Sequence, residues 1–177
     1  MTSNDEIQLF DSDNHGLAWE FQVNPLSCGN HEHYEQYIRF MALDDRRMGK
    51  GVTYVFLHKD EASAKLLGYI TLRATSYTTI TEGETYGSPA LEIFELAVSK
   101  DAERQGIGTD LIKFAMSKAL DWKINLLGIE YITLCSDEKA VPFYEKFGFK
   151  RVDEYGEIPR EQWNTNCIPM FLRLPEV

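Results

Sequence analysis

The sequence predicts a single-domain α/β (α+β) protein with a mixed central β-sheet flanked by helices. Three observations carry that expectation. β-rich runs fill the N-terminal half. A strand–helix–strand–helix–strand order follows from Leu91 onward. Apolar residues make up 44 % of 177 residues, which is one domain by length and enough to bury a core without disulfide or metal staples.

Each element rests on its own pattern. Leu17–Val23 reads as a weak first strand. His31 to Arg47 reads as helix, because Tyr34, Tyr37, Ile38, Met41 and Ala42 recur at helical spacing. Gly49 and Gly51 break it. Val52–Leu57 and Leu66–Ala74 are β-rich, and the polar Asp60–Lys65 turn between them predicts a hairpin. Thr75–Pro89 carries Thr, Gly, Ser and Pro and reads as an irregular connection. Leu91–Val98 is a strong strand. The helix from Gly106 to about Trp122 shows a polar face of Asp110, Lys113, Ser117 and Asp121. Its Ile107, Leu111, Phe114, Ala115 and Ala119 turn inward. Tyr131–Cys135 is the next strand, parallel to Leu91–Val98 by the crossover rule. A short helix over Glu138–Phe147 has Pro142 in its first turn and Gly148 as its stop. Ile168–Leu174 is the last strand.

Composition narrows the function classes. The net charge of −10 argues against a polyanionic partner and favours a cationic one. One basic stretch, Arg39, Arg46, Arg47 and Lys50, runs against that balance, as a solvated helix face or a local anion patch. No apolar run approaches the ~20 residues that span a bilayer, and Met1 to Asp13 is polar and acidic, so no membrane role and a cytoplasmic setting are expected. Cys28, Cys135 and Cys167 are odd in number, widely spaced and without a CxxC pair, which fits idle thiols in a reducing compartment. A zinc site on Cys28, His31 and His33 lacks an apparent fourth ligand, so no metal is expected.

The informative segment leaves a strand at Val98 and opens a helix at Arg104-Gln105-Gly106-Ile107-Gly108-Thr109. The glycines let a ligand approach the backbone. Amides at a helix start are unpaired and sit at the positive end of its dipole, which suits phosphate. Leu111 stands where a dinucleotide fingerprint has its third glycine, and no Gly-Lys-Ser/Thr follows, so neither that fingerprint nor a P-loop is present. On spacing alone, a plain strand-to-helix turn stays equally open.

A second segment, Ala140-Val141-Pro142-Phe143-Tyr144-Glu145-Lys146-Phe147-Gly148-Phe149, follows after one helix and one strand. Together the two resemble the GNAT superfamily of N-acetyltransferases over Leu91–Val152. The resemblance implies one acetyltransferase domain over residues 1–177, with its cofactor-binding core at about 91–152. It implies acetyl-coenzyme A as cosubstrate and an amine as acceptor. Amides of Gln105, Gly106, Ile107, Gly108 and Thr109 would hold the pyrophosphate, with Arg104 as helper. Backbone groups of Leu96 and Val98 would bond the pantetheine arm. Tyr144 would protonate the leaving thiolate, and Glu95, or Glu92 beside it, would serve as the base. Two positions depart from the family pattern. Glu103 brings a carboxylate toward the expected pyrophosphate, and Asp137 replaces a frequent asparagine.

Ser27-Cys28-Gly29-Asn30, then Tyr34, Tyr37, Ile38 and Arg39, and Pro89 before Leu96-Ala97-Val98, resemble the GNAT toxins of toxin–antitoxin pairs. Those acetylate the amine of aminoacyl-tRNA, so tRNA and an antitoxin become the alternative partners. Glu95 occupies a place where that subgroup tends to have arginine. A catalytically silent coenzyme A-binding module is the third reading. A homodimer is common among relatives, and the Cys167–Leu174 strand is placed either to join a partner's sheet or to close its own. The acceptor must be read from the helix carrying His31, Tyr34 and Tyr37 and from Thr75–Pro89.

Overall fold

The structure is a computed structural model, and it describes residues 4–61, 63–82, 84–152 and 167–176. Among the described residues, seven strands make one hydrogen-bonded sheet. They are β1 (Asp5–Leu9), β2 (Val52–Lys59), β3 (Ala64–Thr81), β4 (Glu84–Val98), β5 (Tyr131–Ser136), β6 (Lys150–Arg151) and β7 (Ile168–Arg173). Their order is β1-β2-β3-β4-β5-β7-β6. β4 and β5 run parallel, with Ala90 opposite Tyr131 and Ile93 opposite Leu134. They are joined through α3 (Ile107–Asn125), as the crossover rule predicts. β1–β2, β2–β3, β5–β7 and β6–β7 are antiparallel, so the sheet is mixed.

The chain groups into two compact units. The first comprises Met1–Arg73 and Phe94–Ala115. Its core gathers Phe10, Phe21, Tyr37, Ile38, Leu57 and Tyr69, all almost fully buried. Here β3 passes close to β4 and to the start of α3. A side chain at Gly68 would stand 3.0 Å from Ile107 Cγ2, 3.1 Å from Ala97 O and 3.2 Å from Leu111 Cδ1. The second unit comprises Ala74–Ile93 and Met116–Val177. Its small aromatic core packs Tyr77 against Phe171, with ring centroids 5.0 Å apart, and against Tyr131 at 4.6 Å.

Four expectations are corrected. The first strand is Asp5–Leu9, and Leu17–Val23 holds no strand: a 3-10 helix covers His15–Trp19. Side chains decide this. Asp11 Oδ1 accepts from the amides of Asp13 and Asn14, and Asn14 Nδ2 donates to Leu9 O, so the chain turns where a ladder would have continued. Thr75–Pro89 is not irregular, because β3 continues to Thr81 and β4 begins at Glu84. Its threonines and tyrosines are good strand residues, and sheet pairing overrides the Gly, Ser and Pro. The helix over His31 to Arg47 exists, but in three parts: α1 (His31–Gln36), a π-helical turn at Tyr37–Met41, and α2 (Ala42–Arg47).

The fourth correction concerns the thiols. Cys135 and Cys167 form a disulfide, with Cα atoms 5.5 Å apart. The β5–β7 register sets Cys135 opposite Pro169, two residues from Cys167, within bridging range. That register was not readable from the spacing of the cysteines. Cys28 keeps its thiol, half-buried in the first unit.

The short helix also forms, as a 3-10 turn at Glu138–Ala140 and α4 (Val141–Glu145), with Pro142 in its first turn. Gly148 adopts φ +89° past its end.

Gly68 is the position where the packing tolerates least. Gly68→Val should destabilise the chain by about 1–3 kcal/mol, since one of its three neighbours is a backbone carbonyl that has little room to move. Gly16→Ala, where a Cβ meets nothing within 4 Å, should stay within about 0.5 kcal/mol. Urea unfolding midpoints compare the two, and equal midpoints would refute the constraint.

Candidate active site

The loop between β4 and α3 is anchored before it turns. Ser99 N donates to Leu67 O at 2.8 Å and Lys100 N to Gln22 O at 2.8 Å. Ala102 is buried beneath a single 3-10 turn. Two left-handed residues then redirect the chain: Arg104 at φ +61° and Gly106 at φ +89°. The second suits glycine. The first is an uncommon conformation for arginine, and it falls between the Ser99 and Lys100 bonds and the first turn of the following helix. α3 begins at Ile107, and Asp110 N donates to Gly106 O at 3.0 Å. The amides of Ile107, Gly108 and Thr109 therefore precede the helical ladder and point out of its positive end. Nothing lies within 4 Å of a Cβ built on Gly106, so its surface is open.

The carboxylate of Glu103 is drawn aside. Its Oε2 accepts from Asn24 Nδ2 at 3.1 Å. Gln105 Nε2 donates to Asp101 O at 3.1 Å, which engages its side chain within the loop. A pocket of about 430 Å³ adjoins the loop, lined by Gln105, Ile107, Asp110, Asp5 and His58 among others. Its two carboxylates make it a poor phosphate site.

Strand parity separates the two candidate glutamates. Along β4, Leu91, Ile93, Glu95 and Ala97 are buried, while Glu92, Phe94, Leu96 and Val98 alternate with them at intermediate exposure. Glu95 is 6 % exposed, a carboxylate on a core face. Its Oε1 lies 2.7 Å from Nε2 of His33 on α1. Burial raises the pKa of Glu95 above its ordinary 4.5, and the His33 hydrogen bond opposes that rise.

The walls around this pair are aromatic. Tyr37 packs its ring near His33, Tyr69 and Phe94. Burial pushes its phenol up to about 12, and its hydroxyl donates to Asp45 Oδ2 at 3.2 Å. Tyr69 donates to Tyr34 O at 2.9 Å. The Arg73 guanidinium stacks 3.9 Å above the Phe94 ring. The π-helical turn begins at Tyr37, whose carbonyl accepts from Ala42 N. Such turns recur at functional sites.

Sequence reasoning placed His33 only in a discarded zinc set and missed its pairing with Glu95, which lies 62 residues away in the chain. Among the described residues no group of three or more His, Cys, Asp or Glu is arranged to hold a metal ion. In the Arg39–Lys50 stretch, Arg39 is partly buried, and Arg46, Arg47 and Lys50 are exposed. Arg39 donates to Ala18 O and Phe21 O and pairs with Glu35, Arg46 donates to Phe10 O, and Arg47 pairs with Asp44. These arginines mostly satisfy backbone carbonyls and neighbouring carboxylates.

Tyr144 lies in the second unit, on α4, 9 % exposed. Its ring contacts Phe143 at 5.1 Å and Phe149 at 6.0 Å between centroids. Its carbonyl accepts from the amides of Phe147 and Phe149 as the chain turns through Gly148. Glu95, Leu96, Val98 and residues 104–109 all belong to the first unit.

The family model described as Acetyltransferase (GNAT) domain matches residues 49–151. Among solved structures, a tyrosine-to-phenylalanine mutant of the toxin AtaT superposes with TM-score 0.77 at 18 % identity, over 96 % of this chain and 89 % of that one. A mutant of KacT gives 0.75 at 17 %, over 97 % and 95 %. AtaT complexed with acetyl-methionyl-tRNAfMet gives 0.73 at 18 %, over 96 % and 94 %. A search of curated protein sequences finds no match.

The raised pKa of Glu95 has a consequence for stability. Its folded form binds a proton more tightly than its unfolded form, so this group's contribution to stability is present at acid pH and is lost as pH rises through the folded pKa. Glu95→Gln removes that loss. As pH increases above about 4.5, the variant's melting temperature should rise relative to wild type. A difference in melting temperature that stays constant across that range would overturn the assignment.

Proposed function

The chain belongs to the GNAT acetyltransferases, and we propose that it moves the acetyl group of acetyl-coenzyme A to a primary amine of a small molecule or protein. One observation carries this reading. Two left-handed residues, Arg104 and Gly106, open a 19-residue helix directly after a strand that holds a buried carboxylate.

The residues divide the work as follows. Amides of Gln105, Gly106, Ile107, Gly108 and Thr109 bind the pyrophosphate, and the Arg104 side chain assists. Backbone groups of Leu96 and Val98 hold the pantetheine arm along the strand edge. The acceptor arrives mostly as an ammonium ion and must lose a proton before it attacks. Glu95 takes that proton, and burial makes its carboxylate a stronger base than an exposed glutamate. The amine nitrogen then bonds to the thioester carbon. As the tetrahedral intermediate collapses, the carbon–sulfur bond breaks and the Tyr144 phenol protonates the thiolate. The low exposure of Tyr144 as a residue, 9 %, supports a largely water-excluded setting for this role.

A second reading is acetylation of aminoacyl-tRNA, with an antitoxin as partner. The fold likeness to AtaT complexed with acetyl-methionyl-tRNAfMet, extending over 96 % of the chain, supports it. The net charge of −10 and the internal use of Arg39 and Arg46 favour a cationic small acceptor instead.

The test uses the full chain with acetyl-coenzyme A and a panel of spermidine, kanamycin, a lysine-containing peptide and methionyl-tRNA, with products read by mass spectrometry. Acetylated spermidine, kanamycin or peptide is the expected outcome. Acetylation confined to methionyl-tRNA supports the second reading. Cofactor binding without any transfer would leave a silent binding module.

Two variants test the parts. Tyr144→Phe should lower kcat by about 10²–10⁴, and an unchanged kcat would reject the phenol as general acid. Gly106→Asp puts bulk and negative charge at an open, left-handed position. It should weaken acetyl-coenzyme A binding in calorimetry at least about tenfold, since charge repulsion and backbone strain together cost over 1.4 kcal/mol.

A further inference from the structure

We propose that His33 is the positioning and proton-relay residue for Glu95: it holds the buried carboxyl at 2.7 Å and carries the proton taken from the acceptor out to solvent. The inference rests on the function proposed above and deepens it.

Proton balance creates the need. An ammonium acceptor and acetyl-coenzyme A give an amide, a free thiol and one proton. Of the two protons the nitrogen loses, one reaches the sulfur through Tyr144. The other enters Glu95 and must leave before the next turnover. Glu95 is 6 % exposed, so direct loss to bulk water is obstructed.

The groups that face Glu95 come from four elements. Arg73 on β3 and Asp45 on α2 act on it through charge, with opposite signs. Tyr69 on β3 is fully buried, its phenol raised well above the ordinary value and committed to Tyr34 O. Tyr37, at the start of the π-helical turn, is also raised and donates to Asp45. An arginine does not release its proton near neutral pH, and phenols raised by burial do not either. Asp45 is engaged by Tyr37 and acts on Glu95 as a like charge, which hinders it from serving as the exit. His33 differs from all of them. It touches the carboxyl with one ring nitrogen, its side chain is 42 % exposed, and imidazole exchanges protons readily near neutral pH.

The step balances without a further reagent. Protonated Glu95 passes its proton to the imidazole, and the imidazolium releases one proton to water. Carboxylate and neutral imidazole are restored.

His33→Gln and His33→Ala separate relay from support. Glutamine can still donate a hydrogen bond to Glu95 but does not titrate. With acetyl-coenzyme A and the panel acceptor of highest turnover, His33→Gln should lower kcat by about 10²-fold, with the acceptor KM and melting temperature little changed. Added imidazole should restore part of the rate of His33→Ala. The His33 hydrogen bond and charge lower the pKa of Glu95. In His33→Ala the rising limb of the pH–rate profile should therefore move to higher pH. Infrared titration of the Glu95 carboxyl band, identified by its absence in Glu95→Gln, should move the same way and needs no acceptor. Wild-type kcat and pH profile in His33→Gln would overturn the relay, and an unmoved carboxyl band in His33→Ala would overturn the positioning role. A wild-type chain that acetylates no panel member would overturn the proposed function instead, while the infrared result would still report on the pair.

Discussion

The absent side chain at Gly68 fixes the geometry on which the loop depends. Three chain segments converge there: β3 itself, the carbonyl of Ala97 on β4, and the side chains of Ile107 and Leu111 on α3. Ile107 is the first residue of α3, so its seat determines where the unladdered amides of the helix point. Ala97 lies between Leu96 and Val98, so the same contact sets the end of β4. Amide clusters bind anions only when they are held in place before the ligand arrives. Here close packing and the two backbone bonds at Ser99 and Lys100 do the holding.

That constraint explains which parts of the molecule the sequence could convey. Helix and strand periods are local, and the strands at 52–57 and 91–98 and the helix from 106 are all present in the structure. The two glycines marked the loop, but the left-handed Arg104 did not show, because arginine carries no local preference for that conformation. The segment 75–89 was misread for a related reason. Its composition is that of a loop, whereas neighbouring strands supply the pairing that makes it sheet. Asp5–Leu9 is polar because it is an end strand of the sheet, with all its residues at intermediate burial. The Cys135–Cys167 bridge and the His33–Glu95 pair depend on register and on distant packing, which leave no local trace.

Charge distribution carries information that net charge does not. The chain totals −10, yet two of its basic residues, the partly buried Arg39 and the exposed Arg46, donate to carbonyls of Ala18, Phe21 and Phe10. The tie between Glu103 and Asn24 works in the opposite direction, drawing a carboxylate away from the loop amides. Both arrangements fit a phosphate cradle made of backbone rather than of side-chain cations. A cradle of that kind recognises a cofactor while leaving the acidic exterior free to concentrate a cationic acceptor.

Glu95 is the place where stability and chemistry pull apart. β4 alternates so that position 95 falls on the same face as Leu91, Ile93 and Ala97. An apolar residue there would satisfy the pattern without desolvating a carboxyl. The structure instead keeps the carboxyl and supplies one imidazole at 2.7 Å, with Arg73 near enough to act through its charge. Breaks of a local rule with a specific partner attached tend to mark functional positions. Glu92, on the less buried face, breaks no such rule. The physical case for the proposed base therefore rests on the cost of burying Glu95 and on the half-exposed histidine that offsets it.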